Sequence, residues 1–159
     1  MKFNSALRNF VLVLFSTLLI TACSTAKKAK VYTVDDVYTG TETVEFLAKG
    51  VPDRVFFATN KSKLTTRSRD TLRKQATWLR KNKDLTVTLE GHADERGTRE
   101  YNLALGERRA NAAKDYLMTY GVSGKRITVI SYGKEKPVNP ASTPLAWSQN
   151  RRSVTVKTN

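Results

Sequence analysis

From Val51 onward the chain switches between two hydrophobic periods, and no other feature limits its possible folds as tightly. Residues 66–82 place Leu72, Ala76 and Leu79 at i, i+4 and i+7, the spacing of one helical face. Leu85-Thr86-Val87-Thr88-Leu89-Glu90 then alternates apolar and polar side chains, as a half-buried strand does. Residues 98–120 return to the helical period and end at Gly121, a residue suited to the turn after a helix. Arg54-Val55-Phe56-Phe57, Ile127-Thr128-Val129-Ile130 and Ser153-Val154-Thr155-Val156 read as short strands. Residues 133–150 carry three prolines and read mostly as loop. The order β-α-β-α-β-β buries its apolar faces when both helices lie on one side of the sheet. The expected fold is therefore α+β, a two-layer sandwich with helices packed on a mixed four-stranded sheet.

The first residues obey a different rule. Lys2 and Arg8 precede an uncharged apolar run of 11 residues, 10–20. A permanent membrane span needs roughly 20 such residues, whereas a secretory signal needs about 7–15. Ile20-Thr21-Ala22-Cys23 resembles the lipobox of bacterial lipoproteins, which implies cleavage before Cys23 and acylation of its thiol and freed amine. Cys23 is the only cysteine, and Ser24 follows it rather than Asp, which points to the outer membrane. Two or more acyl chains, at about 0.8 kcal/mol per buried methylene, anchor a protein stably. The expected division is a signal peptide at 1–22, a lipidated tether at 23–50 and a folded domain at 51–159.

Charge is the outstanding feature of the composition: 28 Lys and Arg against 14 Asp and Glu, a net +14. Removing residues 1–22 takes away only Lys2 and Arg8, so the mature chain stays strongly basic. Such a surface attracts polyanions and keeps a nucleic-acid-binding module as the alternative reading. The export signal and the lack of an aromatic RNA-binding strand oppose that alternative. One cysteine and one histidine exclude a disulfide framework and a conventional zinc site. No acid/base pair, nucleophile motif or phosphate loop accompanies His92, so neither an enzyme nor a cofactor is expected.

The second helix carries an anomaly. Gly106, Ala113, Tyr116, Leu117 and Tyr120 fall on one side, with Arg109 near its middle and Asn102 two turns earlier. Arg108 points outward. A buried guanidinium is costly unless acceptors meet it, and long helical side chains lean toward the helix N-terminus. Arg109 is thus directed at the preceding loop, which contains Asp94. Two arrangements fit. Arg109 and Asp94 form a buried pair that holds the loop, or they stand apart and hydrated as hooks for a ligand bearing both an ammonium and a carboxylate.

Gly91-His92-Ala93-Asp94-Glu95-Arg96-Gly97 and Asn102-Leu103-Ala104-Leu105-Gly106-Glu107-Arg108-Arg109-Ala110 resemble the peptidoglycan-binding signature of the OmpA-like family. Ser131-Tyr132-Gly133-Lys134-Glu135-Lys136-Pro137 and Asn150-Arg151-Arg152 match in order and spacing. The resemblance, strongest to the peptidoglycan-associated lipoproteins within that family, covers about residues 51–157. It implies non-covalent binding of diaminopimelate in the peptidoglycan stem peptide, with Asp94 and Arg109 holding its two ends. Asn102 and Leu105 lie in the same motif and are expected from the resemblance to shape the pocket. It also implies a partner, a TolB-like periplasmic propeller protein, within a Tol-Pal system active in envelope integrity and cell division. One position departs from the pattern. The family's first strand often ends Phe-x-Phe-Asp, where this chain has Phe57-Ala58-Thr59-Asn60, so a contact at Asn60 would be uncharged. Arg151 and Arg152 have two readings, a polyanion contact or the favoured structural role entering the last strand, and Trp78 and Trp147 are assigned packing or partner contacts.

Overall fold

The computed structural model describes residues 36–158. The apolar run, Cys23 and the first part of the expected tether lie outside them. Three helices and six strands follow in the order β1 (Phe46–Ala48), β2 (Val51–Pro52), β3 (Arg54–Phe56), α1 (Thr66–Lys81), β4 (Val87–His92), α2 (Arg99–Thr119), β5 (Ile127–Gly133), α3 (Pro144–Asn150) and β6 (Arg152–Lys157).

Each helix begins where a threonine caps it. Thr65 accepts from Ser68 N, Thr98 from Tyr101 N and Thr143 from Ala146 N, each meeting one of the amides that a first turn leaves free. The buried side of α1 is Ser68, Leu72, Gln75, Ala76 and Leu79, which contains the sequence-derived stripe. The buried side of α2 is Asn102, Leu105, Gly106, Arg109, Ala110, Ala113 and Leu117. Tyr116 is only half-buried and Tyr120 is exposed, so the apolar stripe expected from the sequence is not buried at that end.

The main sheet is ordered β3-β6-β4-β5. β4 and β5 are parallel, joined by the α2 crossover, while β6 runs antiparallel to both β3 and β4. Strand alternation then separates two faces. Val55, Val87, Leu89 and Ile127 meet Leu72, Ala76, Leu79, Ala110, Ala113 and Leu117 in one apolar core between sheet and helices. Arg54, Glu90, His92 and Arg152 line the other surface.

Two parts of the chain differ from the sequence expectation. Residues 36–50 were expected to be tether, yet β1 pairs with β2, and Val37 and Tyr38 pack on Phe56 in a second small cluster. Those strands are two or three residues long, too short to show a period. The stretch expected to be loop contains α3, which Pro144 opens at its first turn.

One contact sets the height of α2 over the sheet. A Cβ placed on Gly91 would stand 1.8 Å from Gly106 O, and one on Gly106 would stand 2.4 Å from Ser131 Oγ and 2.8 Å from Gly91 O. Backbone therefore rests on backbone where α2 crosses β4. Arg109 follows one turn later and is held close above the end of β4.

Candidate functional site

β4 ends at a register irregularity between Gly91 and His92, and Ala93 N donates to Gly133 O at 2.7 Å. Asp94 is the next residue, placed at the carboxyl end of the parallel pair and almost fully buried. Both its oxygens are occupied. Oδ1 accepts from Arg96 N and Arg96 Nε, each at 3.1 Å. Oδ2 accepts from Arg96 Nη2 at 2.7 Å and from Arg151 Nη1 at 3.2 Å. Burial alone would raise its pKa, but the bonds from Arg96 and Arg151 outweigh that and hold the carboxyl below its ordinary value.

Arg109 is fully buried, in the inward direction expected from the helix period. Its partners are carbonyls: Lys61 O to Nε at 2.9 Å, His92 O to Nη1 at 2.7 Å and Ala58 O to Nη2 at 3.1 Å. Among the described residues no carboxylate lies within ion-pair distance of it. A guanidinium has five N–H donors, so one hydrogen on each terminal nitrogen remains for another acceptor. Burial and the neighbouring Arg151 push its pKa down to about 9, with Asp94 opposing, so the cation persists at neutral pH.

The direct Arg109–Asp94 pair of the first sequence-derived arrangement is not found. The two stand apart, each held by other groups. Arg109 bonds three backbone carbonyls and keeps two N–H groups unused, whereas the Asp94 oxygens accept from two other arginines. The reason is the loop at residues 58–61, which Lys61 N closes onto Ala58 O at 3.2 Å. Asn60 sits in that turn with φ 55°, a left-handed conformation that Asn tolerates. The turn aims the Ala58 and Lys61 carbonyls at Arg109, while the Asn60 side chain is exposed.

Asn102 and Leu105 are both buried on α2, and Asn102 Nδ2 donates to Arg96 O at 2.9 Å, tying helix to loop. Cys23 lies outside the described residues. Sequence reading missed Arg151 as a site residue. It is almost fully buried and bonds Phe57 O, Asp94 and the Asp36 carboxylate, the last at 2.8 Å. Its signal was present in Asn150-Arg151-Arg152, but only strand pairing shows that the first arginine turns toward Asp94. Trp147, expected to pack or to meet a partner, packs on the loop: its Nε1 donates to Glu95 Oε1 at 2.8 Å, and the Arg96 guanidinium lies 4.4 Å from its ring centre.

The charges do not cancel. Arg96, Arg109 and Arg151 share Asp36 and Asp94, which leaves one positive charge, and Arg109 is the member without a carboxylate. Arg96 is the member that can move, with 42% of its side chain exposed. The arrangement can therefore take a carboxylate at Arg109 and offer Asp94 to an ammonium that displaces the Arg96 side chain.

The sequence pattern of the OmpA family matches residues 56–151. The chain is 57% identical over 106 residues to the peptidoglycan-associated lipoprotein of Rhizobium meliloti, covering 67% of this chain and 60% of that one. It is 54% identical over 106 residues to the protein of the same description from Agrobacterium fabrum, again covering 60% of it. The chain thus spans about 60% of the length of these relatives. Among solved structures, the peptidoglycan-associated lipoprotein of Burkholderia pseudomallei superposes with a TM-score of 0.65 at 35% identity, over 67% of this chain and 90% of that one. The C-terminal domain of Helicobacter pylori MotB shares the fold, with a TM-score of 0.63 at 19% identity over 67% and 84% of the two chains.

Proposed function

Because the chain belongs to the OmpA family, we propose that it binds peptidoglycan non-covalently and ties the cell wall to the outer membrane. The observation that carries this reading is the uncompensated guanidinium of Arg109, held by three carbonyls beside the Asp94 carboxylate. Diaminopimelate in a stem peptide presents an ammonium and a carboxylate on one carbon. Its carboxylate takes the two unused N–H groups of Arg109, and its ammonium takes the Asp94 oxygens that Arg96 gives up. Asn102 keeps the loop in register with α2 during that exchange.

Cys23 supplies the lipid anchor in this reading, with residues 1–22 removed. The cluster of exposed Glu95 and Arg96 with half-buried Trp147 borders the site and is where a TolB-like periplasmic propeller protein docks, within a Tol-Pal system serving envelope integrity and division. Wall and propeller then compete, because Arg96 belongs to both contacts.

The test is retention on purified sacculi by the full chain in detergent. Wild type is retained, Asp94→Asn and Arg109→Lys are eluted, and free diaminopimelate competes for the wild type. Retention that survives both substitutions and ignores the competitor overturns the reading. Cys23→Ala tests the anchor separately: an unprocessed, unacylated precursor is expected, and normal acylation would refute it.

A further inference from the structure

β6 is entered through two consecutive arginines that serve different places. Arg151 turns to Asp94, whereas Arg152, 6% exposed, lines a cavity of about 480 Å³ to which no helix contributes. His92 and Glu90 of β4, Arg54 of β3, Lys136 from the loop after β5 and the apolar Val154 line the same cavity.

Arg152 spends its terminal nitrogens on the carbonyls of Asn150, at 3.4 Å, and Lys136, at 3.2 Å. Its Nε has no hydrogen-bond partner among the described residues, and no carboxylate there lies within ion-pair distance. Arg54, the other guanidinium, is already taken up by Asp53 at 2.8 and 2.6 Å and by Glu45 at 3.3 Å. His92 is 1% exposed, and neither ring nitrogen makes a hydrogen bond. The Lys136 carbonyl approaches the ring without reaching normal bonding geometry, and Glu90 Oε2 stands 3.6 Å from Nε2. Buried N–H groups left without acceptors are rare in folded proteins, and two such side chains facing one cavity are a built set of donors.

We propose that this cavity is a second anion site, in which a carboxylate or phosphate oxygen accepts from Arg152 Nε and from His92, with Lys136 at the mouth. The field in the cavity agrees. Burial, then Arg152, Arg54 and Lys136, push the His92 pKa down to about 3. Arg54, Lys136, Arg152 and Lys157 line the cavity against Glu45, Asp53 and Glu90, and Glu45 and Asp53 are already taken up by Arg54. The volume exceeds that of a single ion, and Val154 offers an apolar wall to the organic part of a carboxylate. The site is distinct from the one above: the His92 carbonyl serves Arg109, while its ring serves this cavity.

His92 is the only histidine of the chain, so its imidazole resonances report the site without assignment. Sodium phosphate and sodium acetate, titrated separately at constant ionic strength into the full chain in detergent, should shift them saturably. Saturation by both marks a general oxyanion site, by acetate alone a carboxylate site, and by phosphate alone a phosphate site. Arg152→Gln should weaken the response roughly tenfold or more, as loss of a charge-assisted bond does. Should that variant fail to fold, two surface changes decide. Lys136→Gln should weaken anion binding, and Glu90→Gln should strengthen it several-fold. Both should keep wild-type retention on sacculi, so this site and the wall-binding reading fail independently. Shifts that rise linearly without saturating, or that ignore both surface changes, overturn the proposal.

Discussion

Arg151 Nη1 lies 3.2 Å from Asp94 Oδ2, although the two residues are 57 positions apart in the chain. That contact turns the loop carboxylate into a structural as well as a ligand-binding group. Arg151 is almost fully buried, and it also meets Asp36 and the Phe57 carbonyl. Loop, last strand and the segment before β1 are therefore joined through one guanidinium.

Asp94→Ala is accordingly expected to destabilise as well as to abolish wall binding. It strands Arg151 with only the half-exposed Asp36 as counter-charge. Breaking a buried pair in this way costs about 3–5 kcal/mol, read as the loss in urea unfolding free energy. Arg96→Ala, which removes the exposed partner of the same carboxylate, should cost below about 1 kcal/mol. Equal losses for both variants would contradict the assignment of Arg151 as the buried partner.

Arg109→Lys should fold and bind poorly. An ammonium can replace one of the three carbonyl bonds but cannot reproduce the planar fork toward a ligand carboxylate. Losing a charge-assisted contact of about 1.5–3 kcal/mol lowers stem-peptide affinity by a factor on the order of 10 to 150, measurable by calorimetry. Arg108→Ala, exposed on the same helix, is the control and should bind as wild type. Undiminished affinity in Arg109→Lys would remove Arg109 from the site.

His92 gives the acid limb of stability. Its folded pKa, about 3, lies below the ordinary 6.5 because burial and the facing Arg152, Arg54 and Lys136 oppose protonation, with Glu90 nearby. The neutral ring is thus fully stabilising above pH 6.5, and its contribution is lost as pH falls toward 3. Each pH unit in that window costs up to about 1.4 kcal/mol. Urea unfolding at pH 7 and pH 4.5 should differ by roughly 2–3 kcal/mol from this group. His92→Gln should flatten that difference. An unchanged slope would mean that the ring protonates in the native state.

Gly106→Ala should lift α2 from β4. Its Cβ would meet Ser131 Oγ at 2.4 Å and Gly91 O at 2.8 Å, and the second of these is backbone that cannot rotate away. Overpacking of this kind costs about 1–3 kcal/mol or more. Because Arg109 rides on the same helix, wall retention should fall further than the fraction unfolded. A variant with wild-type melting and retention would show that the close approach is not needed.

Helices α1 and α2, all four strands of the main sheet and the inward direction of Arg109 were legible in the sequence. Each depends on neighbours within about four residues, through the 3.6- and 2-residue periods. The weak links were equally physical. β1 and β2 are too short to carry a period, and α3 is a single capped stretch of seven residues inside a proline-rich loop. The partners of the charged groups were not legible at all. Periodicity tells that Arg109 turns inward, but only the 58–61 turn decides that carbonyls meet it. Tertiary structure alone inserts β6 between β3 and β4, which brings Arg151 to Asp94 and leaves Arg152 on the opposite side facing His92. Side-chain direction is set by local backbone geometry, whereas the identity of a buried charge's partner is set by strand order, which no local period encodes.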